Sequence, residues 1–169
     1  MFIPPAQHVL IEARTRLQSN KQVLSGRAEV ALRKLTVLIS FEPQGTPPSG
    51  DPPSFDVKSG TGKITLLEGD KTNLPAEVSY ETHVEMTSES AFVETGSLSF
   101  DGGGLNLTTI GSGVLEPAAE EGTLQGAVMW RVEGTGRYEG ATGLLSSCFA
   151  VNTEDGIGTE KQVLRLFLP

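Results

Sequence analysis

The stretch VEGTGRYEGATG, residues 132–143, sets four glycines around Tyr138. Three roles compete for it: a phosphate-cradling loop, a structural corner, or part of a reaction site. Gly134, Gly136 and Gly140 are spaced GxGxxxG rather than GxGxxG, and no helical period follows, so the stretch is not a dinucleotide fingerprint. No Gly-Lys-Ser/Thr closes it either, which removes the P-loop. A corner remains. Gly134 and Gly136 would let the chain reverse, Tyr138 would plug the end of the fold, and Gly140 and Gly143 would let the next strand start close to its neighbour.

Strand signals spread outward from this corner on both sides. TLQGAVMWRVE (123–133) leads in and ATGLLSSCFAVN (141–152) leads out, followed by EKQVLRLFLP (160–169). Upstream lie AEVALRKLTVLISFE from Ala28, then FDVKSGTGKITLLE (55–68), AEVSYETHVEMT (76–87), AFVETGSLSF (91–100) and LNLTTIGSGVLE (105–116). Short runs at this spacing, separated by EGDKTN, DGGG, TEDGIG and similar turn sequences, read as antiparallel strands joined by hairpin loops. HVLIEARTRLQ (8–18) alternates as a ninth strand, although Leu10, Ala13 and Leu17 also fit a helical stripe. A flat meander would expose two long edges, and closure removes them. Glycines inside SGTGK, ETGSL, IGSGV and LQGAV fit the tight coiling of a narrow barrel. The expected fold is therefore all-β, a single antiparallel up-and-down barrel of about eight or nine strands spanning residues 1–169. PQGTPPSGDPPS (43–54) has too many prolines to join a ladder and is expected as an exposed loop, either a plain connector or a lid over a cavity mouth.

Bulk composition narrows the partners. A net charge of −8 lacks the basic footprint that nucleic acid or anionic membrane demands. The lone Cys148 forms no intramolecular disulfide and has no histidine in a nucleophile context, so it reads as a small buried residue. The start, MFIPPAQHVLIEARTRL, has no leader pattern, and no apolar run reaches membrane length. A soluble, cytoplasmic protein is expected.

The corner also carries a resemblance. GTGRYEGATGLLS (134–146), following WRVE, resembles the G-x-G-x-[FY]-x-G-[AL]-x-G signature near the C-terminal end of the allene oxide cyclase and dirigent superfamily. That superfamily includes small bacterial barrel proteins of unknown function and spirotetronate-forming Diels–Alder cyclases. The motif covers about a dozen residues, and strand order extends the likeness from about residue 28 to the end; it speaks for fold more than for activity. The resemblance implies an allene oxide cyclase-like barrel that holds an apolar ligand and guides its cyclisation or coupling with a few polar groups, without cofactor.

Side-chain parity then nominates residues for that interior. On 91–100, Glu94 shares a face with Phe92, Gly96, Leu98 and Phe100, and a carboxyl on an apolar face needs a partner or a raised pKa. Arg165 and Arg131 are the candidate countercharges. Tyr80 lies with Val78, Val84 and Met86, and Trp130 with Leu124, Val128 and Val132. Glu94 and Tyr80 are the expected catalytic pair, and Trp130, Phe92, Tyr138 and Arg165 the expected ligand contacts. His83, between glutamates, faces solvent on this reading, as does His8, so no histidine metal site is expected. Three function classes follow: a cofactor-free cyclase or isomerase, a lipocalin-like carrier of an apolar molecule, and an oligomeric scaffold whose outer faces build a homodimer or homotrimer.

Overall fold

The computed structural model describes residues 33–169, and the expectations for residues 8–18 and for His8 lie outside them. Eleven β-strands and one turn of 3-10 helix are present among these residues. They are β1 (Arg33–Phe41), β2 (Gln44–Gly45), β3 (Ser54–Ser59), β4 (Lys63–Glu68), β5 (Val78–Met86), β6 (Ala91–Phe100), β7 (Gly103–Thr109), β8 (Gly113–Pro117), β9 (Thr123–Gly136), β10 (Thr142–Asn152) and β11 (Gly158–Leu168). No described helix is long and apolar enough to cross a membrane.

All pairings are antiparallel, and they close on themselves. β5 pairs β6, β6 pairs β7 and β8, these pair β9, and β9, β10, β11 and β1 follow in order. Closure comes from the Pro-rich hairpin. β1 meets β4 at Ile39↔Ile64 and Ser40↔Lys63, and β2 carries the same ladder onto β3 at Gln44↔Lys58 and Gly45↔Val57. β3 then pairs β5 along its length. The result is a β-barrel closed through β2 and β3, in which β4 pairs β1 alone and joins the start of β5 only through the Gly62 N–H donating to the Val78 carbonyl. Strand order 11–1 also explains the apolar C-terminus: β11 is covered by β10 on one side and β1 on the other.

The Pro-rich stretch is not wholly loop. Gln44 and Gly45 join the ladder, Gln44 bridges Ile157, and Ser49 bridges Ser54. The prolines flank these pairs rather than occupying them, so the missing N–H groups cost no rung.

The corner at 134–141 is a tight reversal. Gly134 N–H donates to the Ala141 carbonyl at 2.8 Å, and Tyr138, Glu139 and Ala141 amides bond within the turn. Gly136 has φ +61°, and a Cβ there would stand 2.6 Å from the Gly102 carbonyl oxygen. Only glycine meets both conditions. Tyr138 is 4 % exposed and its ring packs on Phe100 with centroids 5.2 Å apart, closing that end of the barrel.

Alternation decides what faces inward. On β1, Leu35, Val37, Ile39 and Phe41 are buried, and on β9 Val128, Trp130 and Val132. On β11 the buried set is Glu160, Gln162, Leu164, Leu166 and Leu168. Trp130, Leu98, Leu105, Leu107, Leu145 and Leu164 are essentially sealed and fill the half of the barrel next to the corner. Burial of a side chain of this kind contributes about 1.5–3 kcal/mol, so this half holds the fold together.

Candidate functional site

The other half is open. A cavity of about 760 Å3 runs into the barrel between the Pro43–Pro48 segment, the β10–β11 connection and the ends of β5, β6 and β8. Its wall is mostly apolar, with Phe55, Met86, Phe92, Leu115 and Phe149 prominent. A size of several hundred Å3 and an apolar wall with a few polar groups are what a small-molecule site requires.

The polar groups form a belt between the packed half and the cavity. Glu94 comes from β6, and its Oε1 accepts a hydrogen bond from Tyr80 Oη at 2.9 Å and a second, short one from Thr82 Oγ1, both donors on β5. Thr82 Oγ1 also lies 3.3 Å from Tyr80 Oη. β5 and β6 are neighbours, with Val84↔Glu94 and Thr82↔Gly96 in register, so the pairing itself delivers both hydroxyls to the carboxyl. Glu160, from β11, forms a second cluster: Oε1 accepts from Ser147 Oγ at 2.5 Å and from Gln162 Nε2 at 2.9 Å. Glu94, Tyr80 and Glu160 all line the cavity.

Burial dominates the electrostatics. Glu94 is 4 % exposed, and its pKa is raised to about 7, chiefly by desolvation and also by the charge of Glu160, against the Thr82 and Tyr80 hydroxyls. Burial likewise pushes Glu160 above the usual carboxylate range against the Ser147 and Gln162 hydrogen bonds. Tyr80 is pushed well above the ordinary phenol value by burial and by both glutamates, so it stays a neutral donor. No Lys, Arg or His lies among the described residues lining the cavity. The ion pairs Lys34–Glu68 and Lys58–Glu81 and the hydrogen bond between His83 and Asp56 sit on the outer face, which bears out the solvent-facing reading of His83. Among the described residues no group of three or more His, Cys, Asp or Glu is placed to hold a metal ion.

Of the residues nominated from sequence, Glu94, Tyr80 and Phe92 meet at the cavity. Trp130 and Tyr138 are buried but do not line it: Trp130 is sealed in the packed half, and Tyr138 closes the opposite end. Arg165 and Arg131 are exposed, because β11 and β9 turn their even-numbered side chains inward and these two odd positions outward. Neither arginine answers Glu94, whose partners are hydroxyls. Cys148 is exposed for the same reason, since on β10 the inward face is Leu145, Ser147 and Phe149. Sequence reasoning missed Glu160, Thr82, Ser147 and Gln162, all buried. The available signal for Glu160 and Gln162 was their shared parity with Leu164, Leu166 and Leu168.

No family model, curated protein or solved structure matches the chain.

Proposed function

We propose that the protein binds an apolar small molecule in the open half of its barrel and acts on it as a cofactor-free cyclase or isomerase. The observation that carries this is the meeting, in one place, of a cavity of about 760 Å3 and a buried carboxyl with a pKa of about 7. A group of that pKa both gives and takes a proton readily near neutrality. Glu94 is the proton-transfer residue in this reading. Tyr80 donates a hydrogen bond that orients it, and the apolar wall excludes water and holds the substrate in a folded, reactive conformer. The strand plan supports the likeness to the allene oxide cyclase and dirigent superfamily. Counting β1 with β2, β3 with β4 and β7 with β8 as single bent staves reduces eleven segments to eight, in up-and-down order.

Carriage without chemistry is the second reading, and the mostly apolar wall favours it, since retention alone needs nothing more. The two are separated by extracting the ligand from wild-type protein and from Glu94→Gln expressed in the same cells. Native mass spectrometry gives occupancy, and chromatography of the released ligand resolves isomers of equal mass. Catalysis predicts that the variant retains a species the wild type has converted. Identical ligands from both proteins favour the carrier, and an empty cavity in both refutes the small-molecule reading.

A further inference from the structure

The cavity wall is one-sided in charge. Glu94 lies on β6, Glu160 on β11, and Glu154 and Asp155 on the connection between β10 and β11, with no cationic side chain among the described lining residues. Its hydrogen bonding is equally one-sided. Every donor of the belt is directed at Oε1 of a glutamate: Tyr80 and Thr82 at Glu94, Ser147 and Gln162 at Glu160. The two Oε2 atoms receive no donor from any described residue, and neither is among the sealed polar atoms that lack a partner. A third acceptor is short of a donor. Gln162, fully buried, turns its amide nitrogen to Glu160 and leaves its own carbonyl oxygen unpartnered.

We propose that the ligand is an apolar amine, bound as its ammonium ion, with its N–H groups donating to the free oxygens of Glu94 and Glu160. This rests on the reading of the barrel as a small-molecule container. An ammonium brings donors and no acceptor, the complement of a wall with acceptors to spare. A carboxylate or phosphate ligand would add negative charge where nothing neutralises it, at a desolvation cost the site could not offset. A neutral alcohol would satisfy one oxygen and leave the charge uncompensated. The aromatic faces of Phe55, Phe92, Phe149 and Tyr80 suit a cation as well as a hydrocarbon body. At the mouth, Glu154 and Asp155 extend the negative potential toward solvent and favour entry of a cation. Burial raises both glutamates above the ordinary carboxylate value, and an ammonium beside them opposes that rise.

The test uses three fluorescent probes differing in one group: pyrenemethylammonium, pyrenemethanol and pyrenecarboxylate, titrated against the full chain in 0.3 M salt, roughly a twofold rise over physiological strength that screens the protein's net charge. The ammonium should bind at least about tenfold more tightly than the alcohol, as charge-assisted hydrogen bonds allow, and the carboxylate most weakly. In Glu94→Gln/Glu160→Gln the ammonium should fall to the affinity of the alcohol while the alcohol is unchanged. Glu154→Gln/Asp155→Asn should preserve the ranking. An alcohol or carboxylate that binds as tightly as the ammonium overturns the amine and leaves the container reading standing. Failure of all three to bind overturns both. An ammonium advantage that survives the loss of both buried glutamates assigns it to surface charge and overturns the proposal, and if that double variant does not fold, loss of the advantage in Glu154→Gln/Asp155→Asn overturns it in the same way.

Discussion

Glu94 sets up an opposition that a pH titration reads directly. Its folded-state pKa of about 7 stands above the unfolded value near 4.5, so the folded protein holds this proton more tightly than the unfolded chain does. Stability is therefore greatest below the unfolded value and falls as pH rises through the folded one. The displacement is equivalent to about 3 kcal/mol. Glu94→Gln keeps the shape, still accepts from Tyr80 and Thr82, and has no proton to lose. Urea unfolding from about pH 4.5 to 8 should show wild type losing about 3 kcal/mol relative to the variant across that window. Parallel profiles would mean that the carboxyl titrates alike in both states. Glu94 was legible in sequence because Phe92, Leu98 and Phe100 mark one clean face of its strand. Glu160 shared the parity of Leu164, Leu166 and Leu168, but that signal was masked because β11 also places the apolar Val163 and Phe167 on its outer face. The same ambiguity put Arg165 inside when packing turns it out.

Glycines interrupting the strands were readable as a sign of tight curvature, but what they make room for depends on cross-strand register, which no single segment reveals. In three places the room is taken by an aromatic ring. Phe92 pairs with Gly113, Phe149 with Gly126, and Phe41 lies over Gly62. Phe92 and Phe149 both line the cavity, so a ring lying flat over a glycine keeps its bulk against the wall and leaves the space in front of it open. A Cβ on Gly113 would approach Phe92 ring carbons at 2.5 and 2.7 Å, and the backbone there is not in the left-handed region. Gly113→Ala should consequently push the ring into the cavity, cost about 1–3 kcal/mol of stability by overpacking, and weaken binding of an apolar fluorescent probe. Phe92→Ala in the same chain should restore probe binding, giving a strongly non-additive double-mutant cycle. Additive effects on binding would show that the glycine does not govern where the ring lies.

The barrel is divided along its axis, packed beside the 134–141 corner and hollow at the opposite mouth, and this division separates what stabilises the molecule from what equips it. Closure through β2 and β3 makes the hollow half tolerable, since the ladders around the mouth are complete whether or not the interior is filled. β10 samples both halves with two side chains on one inward face. Leu145 is fully buried in the packed half, while Phe149, four residues on, borders the cavity and touches Phe92 edge-on with centroids 6.1 Å apart. Leu145→Ala leaves a void surrounded by rigid neighbours and should cost about 2–5 kcal/mol. Phe149→Ala removes a ring that already faces open space on one side, so fewer contacts are lost and the cost should be about 1 kcal/mol. Ligand affinity should move the other way, nearly unchanged in folded Leu145→Ala and clearly weakened in Phe149→Ala, which loses wall from the site itself. Urea unfolding and probe titration on the two variants measure both quantities. Equal stability losses would mean that the mouth is packed in solution, and a barrel without a hollow half could not hold the ligand on which the proposed chemistry depends.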